Sequence, residues 1–271
     1  VSGRARASVR ALVERPTLLG LALAATAALL ASLAGAAGLP AALPLRVTLV
    51  LASWAALAAV VAFSFLPGFD LPWRATRRVP GARSLALTFD DGPHPETTPA
   101  LLAALARAGV RATFFLVGES VERWPELVRR IAAGGHALGN HTQRHRLLVF
   151  RTAGQIAEEV AACQRALVRA GVDARLFRPP HGFKPIGLHR VLRRHGLRLV
   201  SWQGSIRDTD APGTHVVVER AVALARRGRI LLLHEHPRCL DQTLAALPSI
   251  IERCRALGYE FVPLDGPAAM P

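Results

Sequence analysis

From residue 84 onward, short apolar runs alternate with longer segments whose apolar residues recur every three or four positions. The runs SLALTF (84–89), ATFFLV (112–117), HALGN (136–140), RLF (175–177), LRLVSW (197–202), RILLLH (229–234) and YEFVPL (259–264) read as buried strands. Between them, 97–109, 124–135, 153–170, 187–195, 215–227 and 241–257 have helical spacing. In the first of these helices, Thr98 is the expected cap, Pro99 the first helical residue and Gly109 the stop. Strands alternating with helices of this length predict a parallel sheet with crossover helices. The expected fold class is therefore α/β, a distorted (β/α)-barrel of about seven strands over 84–271.

The pattern upstream is different. Residues 16–45 carry no charged side chain, and VTLVLASWAALAAVVAFSFLPGF (47–69) is a second apolar run. About 20 residues at ~1.5 Å each cross the roughly 30 Å hydrocarbon core of a bilayer, so each run is long enough to span. Pro40 and Pro44 lack backbone donors and suit a turn between the runs. Small residues four apart, Ala31 with Gly35 and Ala34 with Gly38, permit close helix approach. The expected organisation is a basic tail (1–15), a two-helix transmembrane hairpin (16–70), a Pro/Gly/Arg linker (71–83) and the α/β domain. An alternative is a cleaved signal peptide followed by one anchor, with Arg4, Arg6, Arg10 and Arg15 as the basic region and Ala34-Gly35-Ala36 as the cleavage site. Arginines cluster in the tail and after the second run (Arg74, Arg77, Arg78, Arg83), whereas the turn holds only Arg46. That bias places both ends, and the domain, on the cytoplasmic side of a bacterial inner membrane. An export signal would reverse the assignment.

Charge changes the picture less than its size suggests. The 271 residues carry a formal net charge of +15, with Lys184 the one lysine. Residues 1–84 contribute nine arginines against Glu14 and Asp70, flanking the apolar runs; the rest is spread over helix faces such as Arg129-Arg130 and Arg193-Arg194. No basic patch interleaved with aromatics is present, so nucleic acid is not an expected partner. The cysteines Cys163, Cys239 and Cys254 lack the spacing of a metal or redox motif.

Chemistry-bearing residues fall at the ends of successive predicted strands, where catalytic groups of such folds collect. Asp90 and Asp91 follow the first strand, His141 and His145 the third, Arg178 the fourth, Asp208 the fifth and His234 the sixth. A carboxylate with two imidazoles four residues apart supplies an open three-ligand metal site, and the second carboxylate is free to act as a general base. The two histidines share a face if that segment is helical. His136 reads as a buried structural histidine, His94 as a loop residue near the site, and Glu235 and His236 as a solvated rim.

TFDDGPHPETTP (88–99), GHALGNHTQRH (135–145), FRPPHG (177–182), Trp202 with Asp208, and LLLH (231–234) resemble, in order, the five motifs of the polysaccharide deacetylase family, the NodB-homology domain of the family-four carbohydrate esterases. The resemblance implies that Asp91, His141 and His145 hold a divalent metal, usually zinc. It implies Asp90 as the base activating a water against an N-acetyl or O-acyl carbonyl, oriented by Arg178. His234 would protonate the leaving amine, with Asp208 setting its tautomer and raising its pKa. Pro180, His181, Gly182 and Trp202 would face the substrate, the backbone around His181 would stabilise the oxyanion, and Leu232 would line the acyl pocket. Two positions depart from the family: His181 stands where an aromatic Tyr or Phe is usual, and Thr209 where Trp usually follows the aspartate. The expected activity is deacylation of an amino-sugar in a polysaccharide or lipid-linked glycan at a membrane. The alternative is a non-catalytic membrane scaffold that binds anionic lipid or glycan.

Overall fold

The computed structural model describes residues 75–264 apart from 150, 186, 203, 205 and 226–229, together with Thr48, Leu51, Ala52, Trp54 and Ala55, which are helical. The chain divides after Val61, and the domain lies in the second unit. The expected transmembrane hairpin falls almost wholly outside the described residues. Among those described, no helix is long and apolar enough to cross a membrane.

Seven parallel strands alternate with helices among the described residues: β1 (Ser84–Asp90), α1 (Thr97–Ala108), β2 (Thr113–Leu116), α2 (Gly118–Arg123), α3 (Pro125–Ala133), β3 (Ala137–Asn140), α4 (Ala153–Arg169), β4 (Leu176–Phe177), α5 (Leu188–Arg194), β5 (Arg198–Leu199), α6 (Thr214–Leu224), β6 (Ile230–His234), α7 (Leu240–Ala256) and β7 (Glu260–Phe261). The sheet order is β5-β4-β3-β2-β1-β6, with β7 pairing the first two residues of β1. No ladder among the described residues joins β5 to β6, so the sheet is curled and open rather than a closed barrel. Within the segment expected as linker, Thr76 bridges Val200 in parallel and Val79 is buried in the inner core.

Strand alternation divides the core in two. Leu85, Leu87 and Phe89 of β1, Phe114 and Leu116 of β2, and Leu231 and Leu233 of β6 face the helices and pack on residues such as Leu101, Leu105, Val217, Leu247 and Ile250. Ala86, Phe115, Ala137, Leu176, Val200 and Ile230 fill the concave side. Because the inward register of β1 runs Ala86, Thr88, Asp90, its last inward residue is a carboxylate at the top of the apolar interior.

Local sequence explains some of the helix boundaries. Gly109, left-handed at φ 59° and ψ 40°, ends α1 as expected. The expected cap does not form: Glu96 precedes the helix without a side-chain cap bond, and the Thr98 hydroxyl is engaged by His94 N and Glu235. At α4, Thr152 and Gln155 form a reciprocal capping box.

Candidate active site

Asp90 ends β1, with its Cα in register with Phe115 of β2 and His234 of β6. Its carboxylate is buried, and Oδ1 accepts a hydrogen bond from Arg178 Nη1 at 2.7 Å. Arg178 follows β4; the same Nη1 reaches Thr88 Oγ1 at 2.8 Å. The guanidinium is fully buried, 4.1 Å from the Phe115 ring centroid and 5.5 Å from that of Trp202. Burial lowers its pKa and Asp90 opposes that shift. A buried charge of this kind is tolerated because it is paired and covered by aromatic faces.

Consecutive residues in a regular strand point to opposite faces. Asp91 instead leaves the strand through a left-handed backbone (φ 78°), which returns its carboxylate to the side of Asp90. Both acids then face one imidazole: His141 Nε2 lies 3.5 Å from Asp91 Oδ1 and 3.7 Å from Asp90 Oδ2. His145 Nε2 lies 3.1 Å from the same Asp91 Oδ1. The H-x-x-x-H segment is a loop, not a helix, and left-handed residues at Thr142 (φ 68°) and His145 (φ 51°) turn both rings inward. Backbone bonds from Gly118 N and Glu119 N to Thr142 O and Gln143 O (both 2.9 Å) hold the loop against α2. Buried Glu159 of α4 accepts from Arg144 N at 2.9 Å and Nη1 at 3.0 Å.

The donor chemistry of this group fits a divalent cation. His141 Nδ1 sits 2.7 Å from the Arg178 carbonyl oxygen, an acceptor only, so Nδ1 carries the proton and Nε2 presents its lone pair. Asp91 Oδ1 is buried and faces both imidazole nitrogens, His145 Nε2 at 3.1 Å and His141 Nε2 at 3.5 Å. One ligand atom from each of Asp91, His141 and His145 lies within 4.8 Å of the others. Burial disfavours charge on Asp91, but the two histidines outweigh it and hold its pKa well below the usual carboxylate range. Burial likewise disfavours charge on His145, and Asp91 reverses it. Two imidazoles and one carboxylate form the protein part of an open site.

His234, at the end of β6, is half-buried and bound twice by one carboxylate. Its Nδ1 lies 2.8 Å from Asp208 Oδ1, and its backbone N donates to Oδ2 at 2.7 Å. Asp208 sits fully buried in a 3-10 turn after β5. Burial opposes the imidazolium, but Asp208 with Asp91 and Asp90 outweighs it and pushes the His234 pKa up to about 9.

The structure thus gathers Asp90, Asp91, His141, His145, Arg178, Asp208 and His234 at the carboxyl ends of the strands. Pro180, His181 and Gly182 form a 3-10 turn with His181 left-handed (φ 59°). The His181 ring meets that of His145 edge-on, with centroids 4.9 Å apart. Although His181 is exposed at its edge, the surrounding protein and His145 push its pKa down to about 4, leaving it neutral at pH 7. Trp202 is buried, and a Cβ at Gly182 would come within 2.5 Å of its ring. Leu232 is buried on β6 in register with Thr88, on the same strand face as His234. His136 is the structural histidine expected, accepting Ala112 N at 3.0 Å.

Glu235 corrects the sequence reading. Expected on a solvated rim, it is 2% exposed, with its carboxylate bound by the hydroxyls of Thr97 and Thr98. Those two threonines stand 138 and 137 positions upstream, so no local pattern could have announced the contact.

Comparison with known proteins identifies the family. The polysaccharide deacetylase family profile matches residues 77–200. A chitooligosaccharide deacetylase of a Bradyrhizobium species is 37% identical over 211 residues, covering 72% of this chain and 96% of the relative. The crystal structure of a peptidoglycan N-acetylglucosamine deacetylase, bound to a naphthyl N-hydroxybenzamide, superposes with a TM-score of 0.67 at 30% identity, covering 70% of this chain and 90% of its own. A family 4 carbohydrate esterase from Streptomyces lividans, in complex with acetate, gives a TM-score of 0.62 at 32% identity, covering 66% and 91%. The chain belongs to the polysaccharide deacetylase family, and it is an enzyme of that class.

Proposed function

We propose that this enzyme removes the N-acetyl, or another small acyl, group from an amino-sugar of a chitin-like or peptidoglycan-like glycan, using a divalent metal, zinc in particular. The observation that carries the reading is the convergence of three kinds of group at one end of the sheet. These are a metal-competent trio, a carboxylate locked by a buried arginine, and an imidazole locked by a buried carboxylate. The names of the relatives, which act on chitooligosaccharide and peptidoglycan, support the substrate class.

Asp91, His141 and His145 would hold the metal, and a divalent cation there supplies Lewis acidity to a carbonyl oxygen and acidity to a bound water. Asp90 accepts the proton of the water that attacks the acyl carbonyl; Arg178 presents it by fixing Oδ1 and leaving Oδ2 free toward His141. His234 donates a proton from Nε2 to the departing amine, a poor leaving group that needs an acid. Asp208 keeps the Nδ1 proton in place and favours the imidazolium. The backbone around His181 would stabilise the oxyanion, Pro180, Gly182 and Trp202 would shape the substrate side of the site, and Leu232 would line the acyl pocket.

The test is acetate release from N-acetylated chitooligosaccharide and from peptidoglycan in the presence of zinc. Loss of release in both Asp90→Asn and His141→Ala supports the mechanism, and full activity in both overturns it. The non-catalytic scaffold alternative predicts salt-sensitive lipid binding and no bound ion; a stoichiometric metal lost in the His141→Ala/His145→Ala double variant rejects it.

The apolar runs at 16–45 and 47–69 and the arginine count favour a membrane tether with the domain facing the cytoplasm. In that setting the glycan would be lipid-linked. A C-terminal reporter fusion active in the cytoplasm supports this arrangement, and one active only outside overturns it in favour of a wall or secreted polymer.

A further inference from the structure

We infer that Glu235 is a positioning residue for the metal site: it wedges the Asp91–Gly92 turn between β6 and the start of α1 and so holds Asp91 in the pose that faces His141 and His145. The inference rests on the reading that these three residues hold the cation.

Asp91 occupies a left-handed conformation that a non-glycine residue adopts at a cost, so its surroundings must over-determine it. Part of the restraint comes from β2, where Val117 N donates to Gly92 O at 2.8 Å. A further restraint comes from Glu235. Its backbone N donates to Asp90 O at 2.8 Å, extending the β1–β6 pairing past the last strand residue. Its side chain then folds over Gly92 so closely that a Cβ there would collide with Oε2. Oε1 accepts from the hydroxyls of Thr97 (3.2 Å) and Thr98, and Thr98 Oγ1 in turn accepts from His94 N at 2.9 Å. One side chain therefore ties the end of β6, the turn that carries Asp91 and the first turn of α1.

The chemistry of the position argues against simple packing. Burying a carboxyl is unfavourable, and an apolar side chain would fill the same volume without that cost. Here burial pushes the Glu235 pKa up to about 7 despite the threonine hydroxyls, and Oε2 is buried with no hydrogen bond among the described residues. Only a planar, forked acceptor can accept both hydroxyls with one oxygen while pressing the other against Gly92. Leu or Ala would release the turn; Asp, one carbon shorter, would not reach both hydroxyls.

The test measures metal affinity rather than turnover. Full-length protein is stripped with a chelator, and zinc binding is read by competition with a chromophoric chelator, with thermal melting of each metal-free variant confirming that it is folded. Glu235→Ala should bind zinc about 10- to 100-fold more weakly, the loss typical of groups that orient a ligand. Glu235→Gln, which keeps the planar fork and the acceptor, should stay within about threefold of the parent. Thr98→Val should fall between them. Parent-like affinity in Glu235→Ala, or an equal loss in Glu235→Gln, overturns the positioning role. A parent protein that binds no zinc overturns the metal reading itself, and the inference with it.

Discussion

The two ends of the sheet solve the same turning problem with different residues. Where helices run into strands, the turns at positions 109, 135, 171, 196 and 258 have positive φ, and every one is glycine. Where strands run out toward the site, Gly182, Gly187 and Gly213 are joined by six positive-φ residues that are not glycine: Asp91, Thr142, His145, His181, Arg207 and Ala211. A left-handed residue with a side chain costs on the order of 1–2 kcal/mol, which glycine avoids. Charge follows the same division. Arg107, Arg169, Arg193, Arg194 and Arg255 sit exposed in the last turns of their helices, complementing the helix dipole. The opposite end buries Asp90, His141, Arg178 and Asp208. One end is built for inexpensive folding, and the other stores strain and buried charge to aim side chains.

The largest expected departure comes from the strained end. Asp90→Asn keeps the shape beside Arg178 but removes the base, and deacetylation should fall by about 10²- to 10⁴-fold, with a lowered melting temperature because the buried Arg178 charge loses its counter-ion. Equal activity in this variant would break the division between aiming and folding.

Next in size is Asp208→Asn. With His234 raised from 6.5 to about 9 in the folded protein, its contribution to stability is fully present below pH 6.5. It is lost as pH rises through about 9, and amounts to about 3 kcal/mol. Metal-free protein should therefore lose stability between those values, and Asp208→Asn should flatten that slope. The acid limb of catalysis obeys the same sign. Activity needs the imidazolium, so kcat/KM should decline by pH 9 or somewhat below, because a nearby dication disfavours the charged ring. Asp208→Asn should move that decline toward pH 6.5.

A smaller effect is expected at His181, where strain and the proposed contact with substrate coincide. His181→Gly should keep stability equal or raise it by up to about 1 kcal/mol while lowering kcat/KM for the glycan. Smallest of all, at the far end, Gly171→Ala places a methyl where nothing lies within 4 Å, yet at φ 89°. It should cost about 1 kcal/mol of stability and leave turnover unchanged. Comparing melting and turnover in these two variants sharpens the contrast directly.

The sequence carried the fold well because strand and helix periods are local. All seven strand positions match the apolar runs, and six helices fall on the segments with helical spacing. The missed helix, Gly118–Arg123, is six residues of GESVER with no repeating apolar face, and it forms because its first turn packs beneath the His141–His145 loop. The site residues were legible as a set because strand ends must share one rim. What periodicity could not convey was backbone handedness. The left-handed turn at Asp91 brings the second acid to the side of the first, where regular strand geometry would separate them, and those at Thr142 and His145 turn the imidazoles inward from a loop. Nor could it convey long-range burial: Glu235 looked like an exposed acid, and Thr98 like a helix cap, until the fold brought them together.

The most direct measurement is a zinc titration into chelator-stripped protein while acetate release from N-acetylated chitooligosaccharide is followed. One equivalent of zinc should restore full activity to the parent and none to His141→Ala. Acetate release that survives stripping, or zinc that binds and activates without His141, would contradict a catalytic centre built on Asp91, His141 and His145.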